Sequence, residues 1–175
     1  MREKSNTKTA RTPRLYIDAS ILKPDITFIE LPKRAAHHLL TVLRTSDGST
    51  VEFFNGDGKN YLGELEKNGK KLNAKIQAVA TNPSESSLNS LLLQSISRGD
   101  RMDTSIKKCV ELGINHIQPV YTTHSIPVLK GDRANNKQEH WQAIAISAAE
   151  QSGRSVVPEV LPAVNLQDWL QGPWL

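Results

Sequence analysis

The sequence predicts an α+β chain in two parts: a small β-rich domain over residues 14–80 and an α/β domain over residues 88–175. Three observations carry this. Up to residue 80, apolar residues recur with a period of two around turns rich in Asn and Gly. From residue 88, short apolar runs alternate with stretches of helical period, the pattern of strands that cross over through helices into a parallel sheet. Between the two, residues 81–87 hold an Asn-Pro step and three serines and read as a linker. A chain of 175 residues has room for one or two such domains.

The elements follow in order. Residues 1–13 are polar and basic, and are expected to be a disordered tail. Residues 14–17 and 27–31 are short strand candidates. Residues 33–44 have helical period, with Ala36, Leu39, Leu40 and Leu43 on one face. Asp47-Gly48 is a turn and residues 50–54 form a β-branched and aromatic strand. Asn55-Gly56-Asp57-Gly58 is a tight turn of residues that accept positive φ. Residues 61–66 and 71–79 pair as a hairpin across Asn68-Gly69, with Leu72, Ala74, Ile76 and Ala78 alternating. Residues 88–96 then read as a buried strand. Asp100 is the expected N-cap of a helix over 101–112, and Asp103 resembles the second half of a capping box. That helix buries Met102, Ile106, Cys109 and Val110 and stops at Gly113. A strand over 116–121, a polar loop over 122–136 and a helix over 137–152 follow. The second helix buries Trp141, Ile144, Ala145 and Ala148 and stops at Gly153. A third strand over 156–160 and the start of a helix over 166–170 complete the pattern. Three strands are few for a parallel sheet, which needs cover on both faces.

Composition narrows the class. One cysteine, Cys109, excludes an internal disulfide and a cysteine-based zinc site, and fits a reducing, cytoplasmic setting. No run approaches a membrane span, and residues 1–14 lack the apolar core of a signal peptide. Residues 1–14 carry the whole formal excess of +4, through Arg2, Lys4, Lys8, Arg11 and Arg14 against Glu3. Residues 1–84 hold 14 basic and 9 acidic side chains; the rest hold 8 and 9. A polyanion would therefore meet the first half, although a solvated basic tail explains the same numbers.

No Gly-rich dinucleotide fingerprint or phosphate loop is present. His37 and His38 are neighbours about 100° apart on a helix, and so would not share a metal. Lys107, Lys108 and Glu111 share one polar helix stripe with Thr104, which is either a site wall or a solvated face with Lys–Glu pairs. Glu150, Gln151 and Arg154 gather where the later helix ends. The Arg154 guanidinium there would grip a carboxylate or phosphate, or simply cap carbonyls at the helix C-terminus. Arg14, His38 and Arg44 flank short elements of the first domain, as RNA-contacting residues do and as unpartnered surface residues also do.

Several segments then line up in sequence order. They are Arg14-Leu-Tyr-Ile, His38-Leu-Leu-Thr-Val-Leu-Arg44, Phe53-Phe-Asn-Gly-Asp-Gly58, Ser97-Arg-Gly-Asp-Arg-Met102, Ile106-Lys-Lys108-Cys-Val-Glu111-Leu-Gly113, and Trp141 through Glu150-Gln151-Ser-Gly-Arg154 to Pro158-Glu159-Val160. Together they closely resemble the RsmE family, the 16S rRNA uridine-N3 methyltransferases of the SPOUT superfamily. The resemblance implies an N-terminal PUA-like β-barrel that grips rRNA and an α/β SPOUT domain of the trefoil-knot type. It implies a cytoplasmic homodimer that works on the small ribosomal subunit, with S-adenosylmethionine as methyl donor. It makes Glu150, Arg154 and Glu111 candidates for catalysis, and Arg14, His38, Arg44, Lys108 and Gln151 candidates for RNA contact.

Two departures accompany the likeness. His124 stands where the family usually has an Arg, which removes a permanent charge and a bidentate fork. The family's Gly-Pro-Glu-Gly-Gly loop and its later Leu-Arg…Glu-Thr-Ala segment have no counterpart here. The SPOUT domain is accordingly expected to be incomplete, no cofactor-binding residue is assigned, and exposed apolar surface is expected where those segments would pack. The alternatives beside a methyltransferase are an inactive RNA-binding protein and a decayed family member.

Overall fold

The computed structural model describes residues 12–125 and 127–172. The expected tail therefore lies outside the described residues, apart from residues 12 and 13. Two sheets form, each with its own core.

The first sheet contains β1 (Arg14–Tyr16), β2 (Phe28–Glu30), β3 (Thr50–Phe54), β4 (Lys59–Asn68) and β5 (Lys71–Thr81), in the order β1-β3-β4-β5-β2. Only β1–β3 is parallel. Among the described residues the strands of the expected PUA-like β-barrel form one path from β1 to β2. Its β1 edge is finished by a side chain instead of a strand: the Tyr16 N–H points away from β3 and donates to Glu150 Oε1 at 2.9 Å. Strand alternation assigns each residue to a core. Leu15, Val51 and Phe53 face the first core, while Tyr16 and Phe54 face the second. The adjacent Phe53 and Phe54 thus serve different domains, both fully buried.

The helix expected over 33–44 is shorter. α1 spans Lys33–His37 and gives way to a π-helical turn, His38–Val42, closed by Leu43 N–H to the His38 carbonyl. The extra residue in that turn rotates the apolar seam. Leu39 stays buried, whereas Leu40 and Leu43 are 38% and 39% exposed. Arg44 follows at φ 53° and is exposed.

The second sheet is parallel throughout: β6 (Leu91–Ser95), β7 (His116–Tyr121), β8 (Glu159–Val160) and β9 (Val164–Asn165), with β8 and β9 both on β7. The third strand expected over 156–160 shortens to β8, and β9 is an added piece that the sequence reading did not include. Val156 N–H is taken by Glu85, Pro158 has no N–H, and Pro162 separates the pieces. α2 (Arg101–Glu111) and α3 (Asp132–Ser152) pack together on the sheet face that carries Leu92, Ile117 and Tyr121. They bury Met102, Ile106 and Val110 from one and Trp141, Ala145, Ala148 and Ala149 from the other. α3 starts at Asp132, inside the expected loop, and ends on Gly153 at φ 84°. α4 (Leu166–Gln171) follows β9.

The capping box is also corrected. Asp100 sits in helical φ/ψ and makes no side-chain cap, while the Asp103 carboxylate bonds His140 Nε2 on α3 at 2.9 Å. Among the described residues no helix is long and apolar enough to cross a membrane.

Candidate functional site

The residues that look most chemical in the sequence converge where the two domains meet. Arg14 lies opposite Glu52 in the parallel β1–β3 register, so both side chains leave the same face of the sheet. Its Nε donates to Glu52 Oε1 at 2.6 Å and its Nη1 to the Ala149 carbonyl at 3.0 Å. Its Nη2 reaches Ser155 Oγ at 2.7 Å and Asn60 Oδ1 at 3.3 Å, and the guanidinium stacks 4.0 Å from the Phe54 ring centroid. Every donor nitrogen of Arg14 is thus bound, Nε within the first sheet and Nη1 and Nη2 across the joint. The expected RNA contact is replaced by an internal one.

Arg154 is likewise bound internally, but to the linker and the second domain alone. It is 7% exposed. Its Nη1 donates to the Val110 and Ile114 carbonyls at 3.1 and 2.7 Å, closing the end of α2. Its Nε and Nη2 donate to Glu85 Oε2 at 3.2 and 3.1 Å. Glu85 Oε1 in turn accepts the Ser155 and Val156 N–H groups at 2.5 and 2.9 Å. A residue read as linker is therefore bound firmly to the second domain, just past the end of α3. Both sequence readings of Arg154 are met, on internal groups: it grips the Glu85 carboxylate, and the carbonyls it caps are those at the end of α2 and not of its own helix, so each of its three nitrogens is engaged. Asn82 adds Nδ2 bonds to the Gly153 carbonyl and Ser155 Oγ. The Asn55–Gly58 turn closes the contact: Gly56 and Gly58, at φ 99° and 82°, lie against Val157 and Val156.

Glu150 borders a cleft of about 550 Å³ between α1 and α3. Burial raises its carboxyl pKa, opposed by the Tyr16 N–H bond and by the charges of His38, Arg14 and Arg34. His38 lines the same cleft. The other candidates stand apart. Lys108 pairs with Glu111 at 2.7 Å on the exposed side of α2, which is the solvated-face arrangement. Gln151 is exposed at the end of α3.

A second cleft, of about 600 Å³, opens at the carboxyl ends of the parallel strands. Open α/β sheets bind ligands there, because successive loops diverge and leave a crevice. Arg98 after β6, Tyr121 to Thr123 and Ser125 after β7, and Asn165 and Asp168 around β9 and α4 line it. The loop is held in shape by Ser125 N–H to the Thr122 carbonyl at 3.0 Å, and by a 2.9 Å contact between the Ser95 and Thr122 hydroxyls. Asn165 Nδ2 donates to Asp168 Oδ2 at 3.2 Å. His124 is exposed on this turn and is not among the lining residues. None of the eight residues singled out from the sequence lines this cleft. The signal that could have found it was topological: the residue runs just after each predicted parallel strand.

Comparison with known proteins agrees with this architecture. Residues 84–173 match a family model described as an RNA methyltransferase domain, and residues 31–77 match an RNA methyltransferase PUA domain. The chain is 29% identical over 166 residues to ribosomal RNA small subunit methyltransferase E of Buchnera aphidicola subsp. Acyrthosiphon pisum, covering 94% of this chain and 64% of that protein. It is 32% identical over 160 residues to the protein of that name from the Schizaphis graminum subspecies, covering 91% and 64%. It thus spans just under two thirds of the length of these relatives. The structure resembles the crystal structure of ribosomal RNA small subunit methyltransferase E from Neisseria gonorrhoeae bound to S-adenosyl methionine. The TM-score is 0.83 at 39% identity, over 93% of this chain and 66% of that one. With its second domain matched over more than half of the chain and its first matched to the accompanying PUA domain, the protein belongs to the RNA methyltransferase family of that model, in which its relatives are ribosomal RNA small subunit methyltransferases E.

Proposed function

We propose that the protein is an S-adenosylmethionine-dependent methyltransferase acting on N3 of a uridine in 16S rRNA, with the strand-end cleft as the seat of chemistry. The observation that carries this reading is the position of that cleft, at the carboxyl ends of the parallel strands in a domain that matches an RNA methyltransferase model. The knotted SPOUT topology, a homodimer and a cytoplasmic setting belong to the same proposal.

Methylation at N3 requires loss of the ring proton and leaves negative charge shared over N3 and the flanking carbonyl oxygens. Fixed donors aimed at that charge lower the barrier. Arg98 is the permanent cation among the cleft's lining residues, and the Thr123 hydroxyl adds a neutral donor. Flipping the base into the cleft supplies proximity. The lining also suits the methyl donor. A volume of about 600 Å³ lies in the range of small-molecule sites, the Asp168 carboxylate complements an ammonium group, and Val128, Pro127 and Leu166 offer apolar contact. Bound there, S-adenosylmethionine would supply an electrophilic methyl group on a sulfonium. RNA would be held by exposed cations of the first domain, Lys33, Arg34 and Arg44, together with His38.

The test is a calorimetric titration with S-adenosylmethionine and transfer of labelled methyl to small subunits that lack the modification. Binding and transfer are expected. Arg98→Ala should lower kcat about 100-fold, the usual effect of deleting a transition-state donor, with the melting curve unchanged. Absence of both cofactor binding and transfer would sink the proposal.

A further inference from the structure

We infer that the cleft between α1 and α3 is a nucleotide subsite of the RNA grip. It takes one unpaired nucleotide whose base carries an exocyclic amino group. The inference rests on the reading that the protein acts on RNA, and it places a part of that RNA away from the strand-end cleft.

The cleft has the anatomy of a binding site and not of a packing fault: an apolar body with a few convergent polar groups. Leu15, Ala35, Val42 and Ile146 supply the apolar body. Val42 is 60% exposed, a large apolar side chain left in water at the cleft wall by the π-helical turn. A base has two apolar faces and fits between such walls. The polar groups divide by sign. Arg34 and His38 come from the first domain, Glu150 and Ser147 from the second. Arg34 and His38 both act electrostatically on Glu150, yet among the described residues neither closes an ion pair with it. The Arg34 guanidinium and the His38 ring remain available to a phosphate.

Glu150 sets the base preference. One of its oxygens accepts the Tyr16 N–H, and among the described residues the other has no donor. A half-buried carboxylate with a vacant acceptor gains from an N–H donor. The amino group of cytosine, adenine or guanine is such a donor, and a carboxylate reading the cytosine amino group is an established pairing. Uracil offers a carbonyl oxygen at the equivalent position, which a carboxylate repels. The volume of about 550 Å³ accommodates one nucleotide.

The test uses the whole chain, titrated with CMP and UMP and then with the tetranucleotides CCCC and UUUU, read by backbone amide shifts. CMP is expected to bind about tenfold more tightly than UMP, with shifts at Tyr16, Ile146 and Glu150. CCCC should bind more tightly than CMP, as a strand crossing the cleft requires; equal affinities would overturn the RNA assignment. Ala143→Trp and Ser147→Trp, both at exposed cleft positions of α3, should abolish the CMP response without lowering the melting temperature. Arg34→Ala should weaken CCCC about tenfold and flatten its salt dependence. Equal affinity for CMP and UMP, or CMP binding unchanged in both Trp variants, overturns the subsite. S-adenosylmethionine binding and methyl transfer to small subunits, measured on the same samples, separate the two proposals. Their loss with intact CMP selectivity removes the catalytic reading and leaves the subsite, and the converse removes only the subsite.

Discussion

Replacing Arg154 with Met tests whether this guanidinium builds the fold or meets the substrate. The side chain is 8% exposed and its partner Glu85 is 14% exposed, so the pair is largely removed from water. Deleting one member of a buried ion pair costs about 3–5 kcal/mol, because the remaining charge stays desolvated. Two features set the cost near the lower bound. Glu85 keeps the Ser155 and Val156 N–H donors, and the Val110 carbonyl keeps a second donor in Gly113 N–H. A loss of about 3 kcal/mol corresponds to about 6–12 °C in Tm for a chain of this size. Trp141, 2% exposed in the second core, reports the transition by fluorescence in urea. Adding Glu85→Gln should recover about half of the loss: the amide oxygen still accepts from the turn, and no buried charge remains. Arg154→Met with stability within about 0.5 kcal/mol of the parent, but with methyl transfer abolished, would refute this reasoning and put the guanidinium on the substrate.

Two further outcomes are expected. Gly63→Ala should destabilise by about 1–3 kcal/mol in urea titration: its Cβ would come within 2.9 Å of Phe53 Cε2 and 3.3 Å of Ile76 Cδ1, both packed in the first core. Glu150→Gln keeps an oxygen for the Tyr16 N–H and removes the charge that burial disfavours. Because the folded-state pKa of Glu150 is raised, parent and variant should melt together at a pH below the ordinary glutamate range. The variant should become the more stable of the two as pH rises through the raised pKa to neutrality; a parent that gains on the variant over that window would contradict it.

Much of the fold was legible because it is decided locally. The Asn55–Gly58 turn, the stops at Gly113 and Gly153 and the β7 limits all follow from residue type and period. The π-helical turn at His38–Val42 was not legible, since Ala36, Leu39, Leu40 and Leu43 fit an unbroken α-helix equally well. The split of β8 from β9 was half visible, in Pro158 and Pro162. The joint was hidden for a different reason. Arg14 reaches Ser155 across 141 residues, and Arg154 reaches Glu85 across 69, distances over which periodicity carries no information. A polar, serine-rich stretch gives no sign that Glu85 will hold two backbone amides and a guanidinium.

The arrangement also explains how residues far from the strand-end cleft could act on a reaction there. Arg14, Tyr16 and Gly58 bond Ala149, Glu150 and Ser155 and so fix one orientation of the first domain on the second, while Asn82 and Glu85 tie the linker to the same end of α3. If the first domain grips RNA and the strand-end cleft performs the chemistry, that orientation sets where the target base arrives. Holding a reactant within reach converts an encounter into a local event, and small misplacement forfeits much of the gain. Loosening the joint would then leave the cleft's own groups intact and still slow methyl transfer, through a base presented less often. The signature is a rise in KM for RNA with unchanged S-adenosylmethionine affinity, which a residue touching the methyl donor would not produce. Arg14 and Ser155 then belong to the joint, and their effect on catalysis runs through geometry.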